Sequence, residues 1–378
     1  MANGFSLGFL SFQKEITKDA TPQYKLEPYG LLASLYAAHS RGVIKNVIGE
    51  TGHFTTVKVK RKKRLIIGDT RTTPSCDNVV TVPYVEDTIT IGQYREVAIS
   101  IPDETIAAFD AYASTVVAAA KAGITPPAAS KIENGGLMWE FYDSLLVACN
   151  GLLQGVNYDL VALAAASIGV NRRTTNNSAA TINIPQDATT RLLTNGIPQI
   201  WRDISLNNFS GRPIVVGAGL FDAWARSQAG IGGVDQSGTD TRLQSASFDY
   251  WRDEQVPTAL SGDNQIIVYE KDAIQIVEYL KFKGFKAGAK GNSIFGTLML
   301  PFEQNGQKIP IEFDFQLKYF DCPTEMTVDG YAAQTVDRGW AVIVSKKFDL
   351  YVIPTDAYQA SDPLTGNRGS LRYNITNT

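Results

Sequence analysis

Apolar and polar residues alternate without a slip from Ile309 to Tyr319. Ile309, Ile311, Phe313, Phe315, Leu317 and Tyr319 stand against Pro310, Glu312, Asp314, Gln316 and Lys318. This period of two predicts a long antiparallel strand with one buried face. Shorter runs at Gln265–Tyr269, Ile274–Phe282 and Trp340–Ile353 predict further strands. Earlier, Val79–Val85 and Glu86–Ile101 are rich in Val, Ile, Thr and Tyr, with turn signals at 49–52, 68–70 and 73–75, so 47–101 reads as a long β-hairpin with an elaborated end. The period then changes. Pro102, Asp103 and Glu104 suit the positive end of a helix, and Ile106, Phe109, Ala113, Val116, Val117 and Ala120 recur at helical spacing until Gly123. A second helix is predicted over Gly136–Leu153, followed by a separate segment, Tyr158–Ile168, apolar almost all round and buried on several sides.

The flanking regions carry weaker signals. Residues 1–46 hold one short helical segment, Gly30–Ala38, and read either as an arm lying on neighbours or as an ordinary N-terminal segment. Residues 181–262 combine a helix near Asp187–Leu206 interrupted at Gly196 and Pro198, a strand at Pro213–Val216, a helix at Leu220–Gln228 and a Gly-rich loop at Gly230–Gly238, the mixture of a compact α/β subdomain. The expected class is α+β, divided at 1–46, 47–101, 102–180, 181–262 and 263–378. At 378 residues with 44% apolar content the chain has ample material for a core. No run approaches the 18 apolar residues of a membrane span, and no targeting signal is visible, which predicts a soluble protein made in a cytoplasm.

Charge adds the main irregularity. The net charge is −3, yet Lys58, Lys60, Arg61, Lys62, Lys63 and Arg64 fall within seven consecutive positions without an acid; with those six set aside the net charge is −9. Val57 and Val59 begin a half-buried alternation, and Arg61 and Lys63 fall on the same face and abolish it. The ribbon has three readings: a solvated edge guarding a strand against aggregation, a nucleic-acid contact, or an arm docking on an acidic face of a neighbouring copy. Base-stacking aromatics are sparse around it, with only Phe54 close by, and the acidic remainder favours docking. Glu312 and Asp314, on the polar face of the long strand, are candidate receivers.

Catalytic chemistry finds little support. Val215–Asp222 (V-V-G-A-G-L-F-D) lies between a strand and a helix, but a dinucleotide fingerprint needs a glycine where Asp222 stands, and that carboxylate would oppose a pyrophosphate. His39 and His53 are the only histidines and are not at ligand spacing. Cys76, Cys149 and Cys322 form no C-x-x-C pair, and Cys149 reads as a small core residue. No catalytic, cofactor-binding or metal site is predicted, and no enzyme.

The order of segments resembles the major capsid proteins of tailed bacteriophages, the Hong Kong 97-like family. F-Y-D-S-L-L-V-A-C-N-G-L-L-Q-G-V-N-Y-D-L (Phe141–Leu160) is similar to the helical segment before the axial domain, and G-R-P-I-V-V-G-A-G-L-F-D-A-W-A (Gly211–Ala225) to the axial strand and helix; N-Q-I-I-V-Y-E and V-S-K-K-F-D-L-Y-V-I-P look like its later strands. The resemblance, one of layout rather than of diagnostic motifs, implies an N-terminal arm at 1–46, an extended hairpin or E-loop at 47–101, a peripheral domain with its spine helix at 102–180, an axial domain at 181–262 and a return to both sheets at 263–378. It also implies self-assembly into an icosahedral shell of hexamers and pentamers, no cofactor, packaged double-stranded DNA met without sequence specificity, and scaffold, portal or decoration proteins as partners. Open alternatives are a tail or portal protein, an encapsulin-like shell and, remotely, a soluble α/β nucleotide-binding enzyme.

Overall fold

The computed structural model describes residues 4–5, 7–9, 11–12, 29–37, 44–45, 56–62, 84–132, 134–168, 181–186, 196–207, 209, 212–218, 249–260, 265–271, 273–282, 288–290, 293–304, 307–320, 324–328, 331–336, 339–353 and 369–377. In chain order its elements are α1 (Gly30–Ala37), β1 (Ile44–Lys45), β2 (Thr56–Lys62), β3 (Tyr84–Thr90), β4 (Gln93–Ile101), α2 (Asp103–Ala122), α3 (Gly135–Ala166), β5 (Thr181–Gln186), α4 (Gly196–Leu206), β6 (Ile214–Gly217), β7 (Asp249–Arg252), α5 (Val256–Leu260), β8 (Gln265–Tyr269), β9 (Ile274–Tyr279), β10 (Gly288–Lys290), β11 (Ser293–Gln304), β12 (Gln307–Phe320), β13 (Thr324–Val328), β14 (Tyr331–Val336), β15 (Gly339–Val352) and β16 (Ser370–Asn377).

Two larger sheets and two long helices build an α+β fold. The predicted long strand is β12. Its Ile309, Ile311, Phe313, Phe315 and Leu317 are buried, and its residues Gln307–Lys318 pair antiparallel with β11. α2 starts after extended Pro102 and ends at Gly123, where φ is +68° and the backbone N–H groups of Gly123 and Ile124 return to the carbonyls of Ala120 and Ala119. Glycine tolerates that left-handed turn without cost, so the stop falls where the sequence placed it.

The predicted break near residue 154 does not exist: α3 is one helix of 32 residues. Gly151 and Gly155 each cost about 1 kcal/mol inside a helix. Burial of Leu152, Leu153, Val156, Leu160 and Val161 outweighs that cost. By length and composition α3 could cross a membrane, but half of its most apolar window is buried in this chain's own core. Of the helix expected near Asp187–Leu206, Gly196–Leu206 form α4, which runs through Pro198, and 187–195 lie outside the described residues. Residues 4–5, 7–9 and 11–12 are helical, and Phe5, Phe9 and Phe12 pack on Phe109 with ring centroids 5.1, 5.8 and 5.7 Å away.

The second sheet has the order β5-β16-β8-β6-β7. Ile266 and Val268 of β8 and Val215 of β6 face Ile200 and Ile204 of α4, while Ile267, Tyr269, Ile214 and Val216 face the main core. Where this sheet meets α1 and α3, the buried carboxylate of Asp253 accepts hydrogen bonds from the Leu31 N–H at 2.8 Å, the Gln255 N–H at 2.9 Å and the Asn157 side-chain amide at 3.0 and 3.1 Å. The Asn157 carbonyl oxygen accepts from the Leu32 N–H at 3.0 Å. Two donors at the start of α1 are thus capped by side chains remote in sequence. Burial raises the Asp253 carboxyl to about 6, with the N–H donors pulling the other way.

The first sheet forks. Trp340–Ser345 of β15 pair with β12 on one edge and β4 on the other, whereas Lys347 and Phe348 pair with β9 and β4. β12 and β9 therefore lie end to end along one edge of β15, and the changeover falls at Lys346. Lys346 is fully buried, forms an ion pair with Glu278 of β9 and donates to the backbone carbonyl of Glu312 in β12 at 3.0 Å. The Tyr36 hydroxyl of α1 donates to the same Glu278, and burial and that carboxylate push its pKa well up. Beside them the Asp314 carboxylate accepts the N–H groups of Lys281 at 2.6 Å and Phe282 at 3.0 Å, just after β9 ends.

Removing one member of a buried pair leaves an uncompensated charge, which costs about 3–5 kcal/mol. Lys346→Met should lose that much stability in urea denaturation, and Lys346→Met combined with Glu278→Leu should recover most of it. Equal losses in the single and double variants would show that the pair contributes nothing specific. Asp253→Ala should cost about 3 kcal/mol in the same measurement, because it strands the Leu31 N–H and leaves the Asn157 amide only Gln255 Oε1 as acceptor.

Candidate assembly surface

β2 and β3 form an antiparallel two-stranded ribbon in which Lys58 lies opposite Thr88, Val59 opposite Asp87, Lys60 opposite Glu86, Arg61 opposite Val85 and Lys62 opposite Tyr84. Directly opposed residues share a face and successive ones alternate. Lys58, Lys60 and Lys62 are therefore brought to one face with Thr88, Glu86 and Tyr84. Arg61 falls on the other face with Val57, Val59, Val85, Asp87 and Ile89. Lys63 and Arg64 lie outside the described residues. Glu86 and Asp87 are split between the two faces by the register.

The second face is seated at its root. Val57 and Ile91 are buried with Val277 and Tyr351, and Ile89, Tyr279 and Ile353 pack around them. The Tyr351 hydroxyl donates to Asp87 Oδ2 at 3.1 Å. Only Ile91 and Gly92 separate β3 from β4, so the chain passes almost directly from one strand to the next while its partner changes from β2 to β15. The Gly92 N–H donates to Asp349 Oδ2 at 2.9 Å at this junction. Just beyond it, the Arg95 Nε and Nη2 donate to the two carboxylate oxygens of Asp159 in α3, each at 2.8 Å. That hydrogen-bonded pairing raises the Arg95 pKa, but the guanidinium is 46% exposed and the pair contributes at most about 1 kcal/mol. The root is held by apolar burial and strand continuity more than by charge.

The structure corrects one expected receiver. Asp314 belongs to the polar series of β12 yet is buried, and its carboxylate serves the N–H groups at the end of β9, so it cannot take a cation from outside. The alternation did not reveal this, because the strand joint that needs the carboxylate is built by residues far along the chain. Asp253, Asn157, Glu278 and Lys346 were also missed as a group. Asn157 alone left a trace, as the amide between Val156 and Leu160 in an otherwise apolar stripe. Cys149 is buried as expected, and burial pushes its thiol well up. His39, His53, Cys76, Cys322, the Leu220–Gln228 helix and the end of the Val215–Asp222 turn lie outside the described residues. Among the described residues no group of three or more His, Cys, Asp or Glu side chains is placed to hold a metal ion.

No protein-family model matches this chain, and no curated protein does. Solved structures do. The chain is similar to the cyanophage A-1(L) capsid asymmetric unit at 13% identity and a TM-score of 0.45, covering 94% of this chain and 95% of that one. It is similar to a chain of Mycobacterium phage Adephagia at 10% identity and a TM-score of 0.43, covering 97% of each. It is also similar to the virus-like particle from Pyrococcus furiosus at 8% identity and a TM-score of 0.38, covering 98% of each.

The seat of the ribbon is a small cluster apart from the main core, so a cavity there should loosen the ribbon selectively. Ile91→Ala should cost about 2–4 kcal/mol locally. Amide hydrogen exchange should then speed up in 56–62 and 84–90 while β12 and β15 keep their protection. Uniform acceleration across both sheets would refute a separate seat.

Proposed function

We propose that this chain is the major capsid protein of a tailed bacteriophage, a structural subunit that assembles with copies of itself into an icosahedral shell around double-stranded DNA. The order of its parts supports that reading: an extended β-ribbon, a long spine-like helix in α3, a subdomain around the second sheet and a return of the chain through both sheets. One observation carries it. β2 and β3 form a sheet of only two strands, joined to no third strand among the described residues. A two-stranded ribbon is at best marginally stable alone. Here one face of the root rests on the first sheet, and the other face carries Lys58, Lys60 and Lys62. A neighbouring copy supplies the surface that such a ribbon lacks, and an acidic one complements its charge.

In this reading the contacts are heterologous, with the ribbon of one subunit lying over the next, and they close into rings and then a container. Packaged DNA is met without sequence specificity, and portal, scaffold and decoration proteins belong to the same particle. The particle is its site of action; the chain is not an enzyme and uses no cofactor. A tail or portal protein would form tubes or single rings instead, and an encapsulin-like subunit would form a shell without a genome.

Negative-stain microscopy of the purified protein should show closed shells or hexameric rings. Arg61→Glu, Lys62→Glu and Lys63→Glu together should leave a folded subunit, with unchanged circular dichroism, that no longer assembles. Shells from the triple variant would show that the ribbon is merely solvated, and a monomer at every salt and protein concentration would sink the capsid reading.

A further inference from the structure

The main core covers the face of the second sheet that turns away from α4 over β7, β6 and β8. Towards β16 and β5 that face carries a polar ladder. Leu371, Tyr373 and Ile375 of β16 point to the α4 side, so alternation puts Arg372 and Asn374 on the other face. The Arg372 Nε donates to Gln265 Oε1 at 2.9 Å, the Gln265 amide donates to Asn374 Oδ1 at 2.8 Å, and the Asn374 amide reaches Asn183 Oδ1 at 3.4 Å. The chain of donors fixes each side-chain amide and orients the guanidinium from behind. Among the described residues the terminal nitrogens of Arg372 donate no hydrogen bond, and no carboxylate pairs with it. Its neighbour across the ladder, Ile267, is fully buried. The guanidinium thus sits at the margin of the core, partly desolvated, and burial lowers its pKa with nothing to compensate.

A half-buried cation held by a neutral amide, with its planar fork open among the described residues, is a receptor for a bidentate anion. We infer that Arg372 is an inter-subunit receptor, whose guanidinium, presented by Gln265, binds a carboxylate of a second copy of this chain. Charge selects that partner. Phosphodiester binding draws on several cations at once, whereas the ladder around Arg372 consists of Gln265, Asn374 and Asn183. Carboxylates of the right kind are available on the same chain: Asp103, Glu104 and Glu140 are exposed and form no ion pair among the described residues. This contact is separate from the β2–β3 ribbon, and it rests on the self-assembly reading.

The test compares wild type, Arg372→Ala and Arg372→Lys by sedimentation velocity across a concentration series, with thermal unfolding as the control for folding. Arg372→Ala should raise the concentration for half-assembly by at least about tenfold, and Arg372→Lys should recover only part of the loss, because a point charge cannot replace the fork. Gln265→Ala should weaken assembly less. Should Arg372→Ala fail to fold, Arg372→Gln, which can still donate to Gln265, carries the same comparison. Wild-type assembly by Arg372→Ala overturns the inference and leaves the shell reading standing, whereas a wild-type chain that never associates overturns both. Normal assembly by Arg372→Ala with lost retention of a 30-base-pair DNA duplex would assign Arg372 to phosphate instead.

Discussion

Where two strands follow one another along the edge of a third, backbone groups at the changeover must lose their ladder partners inside the core. Such groups cannot be left bare, because an unpaired buried carbonyl or N–H costs about as much as a lost hydrogen bond. The fork at Lys346 is therefore the constraint on which the first sheet depends. Lys346 serves the Glu312 carbonyl, Asp314 serves the N–H groups of Lys281 and Phe282, and Glu278 balances the lysine from the inserted strand. Tyr36 closes the group from above, so the helix that precedes the ribbon is positioned by the same charges that hold the fork. Buried pairs of this kind contribute little net stability but can fix register. Here the register of β9 against β15 decides where the sheet divides.

That division sets the place from which the ribbon projects. β4 takes the edge of β15 opposite the fork and continues backwards through Ile91 and Gly92 into β3. Tyr351 and Asp349, which hold the ribbon's root, are close successors of Lys346 on the same strand. Displacing the changeover by one residue would turn Tyr351 to the other face and remove the seat. A fault in the core would thus loosen the ribbon's seat without any residue of the ribbon being altered.

Much of this was legible in the residue pattern, and the rest was not for definite reasons. β12 and α2 emerged from periodicity because one face of each is lined by buried apolar residues and the other carries the polar ones. The pattern ends the second helix at Leu153, whereas the burial that carries α3 on to Ala166 comes from partners distant in sequence. Lys346 reads in the sequence as one of two ordinary lysines. Only its alignment with Val342, Val344, Phe348 and Leu350 places it on the core side, and only the fork explains why a charge belongs there. The ribbon's strands were legible in the sequence, but the root's attachment through Asp87 and Tyr351 depends on a contact between residues 264 positions apart.

The central place of β16 in the second sheet has a consequence in time. It joins β5, which it meets through residues 191 positions apart, to β8, so neither neighbour has its full set of partners until residues near 377 have been made. Closing loops of that length is slow, and sheets built from them form late in folding. The ribbon and α3 leave the ribosome well before. During synthesis the second sheet therefore stays unfinished until β16 has been made, long after the strands of the ribbon and α3.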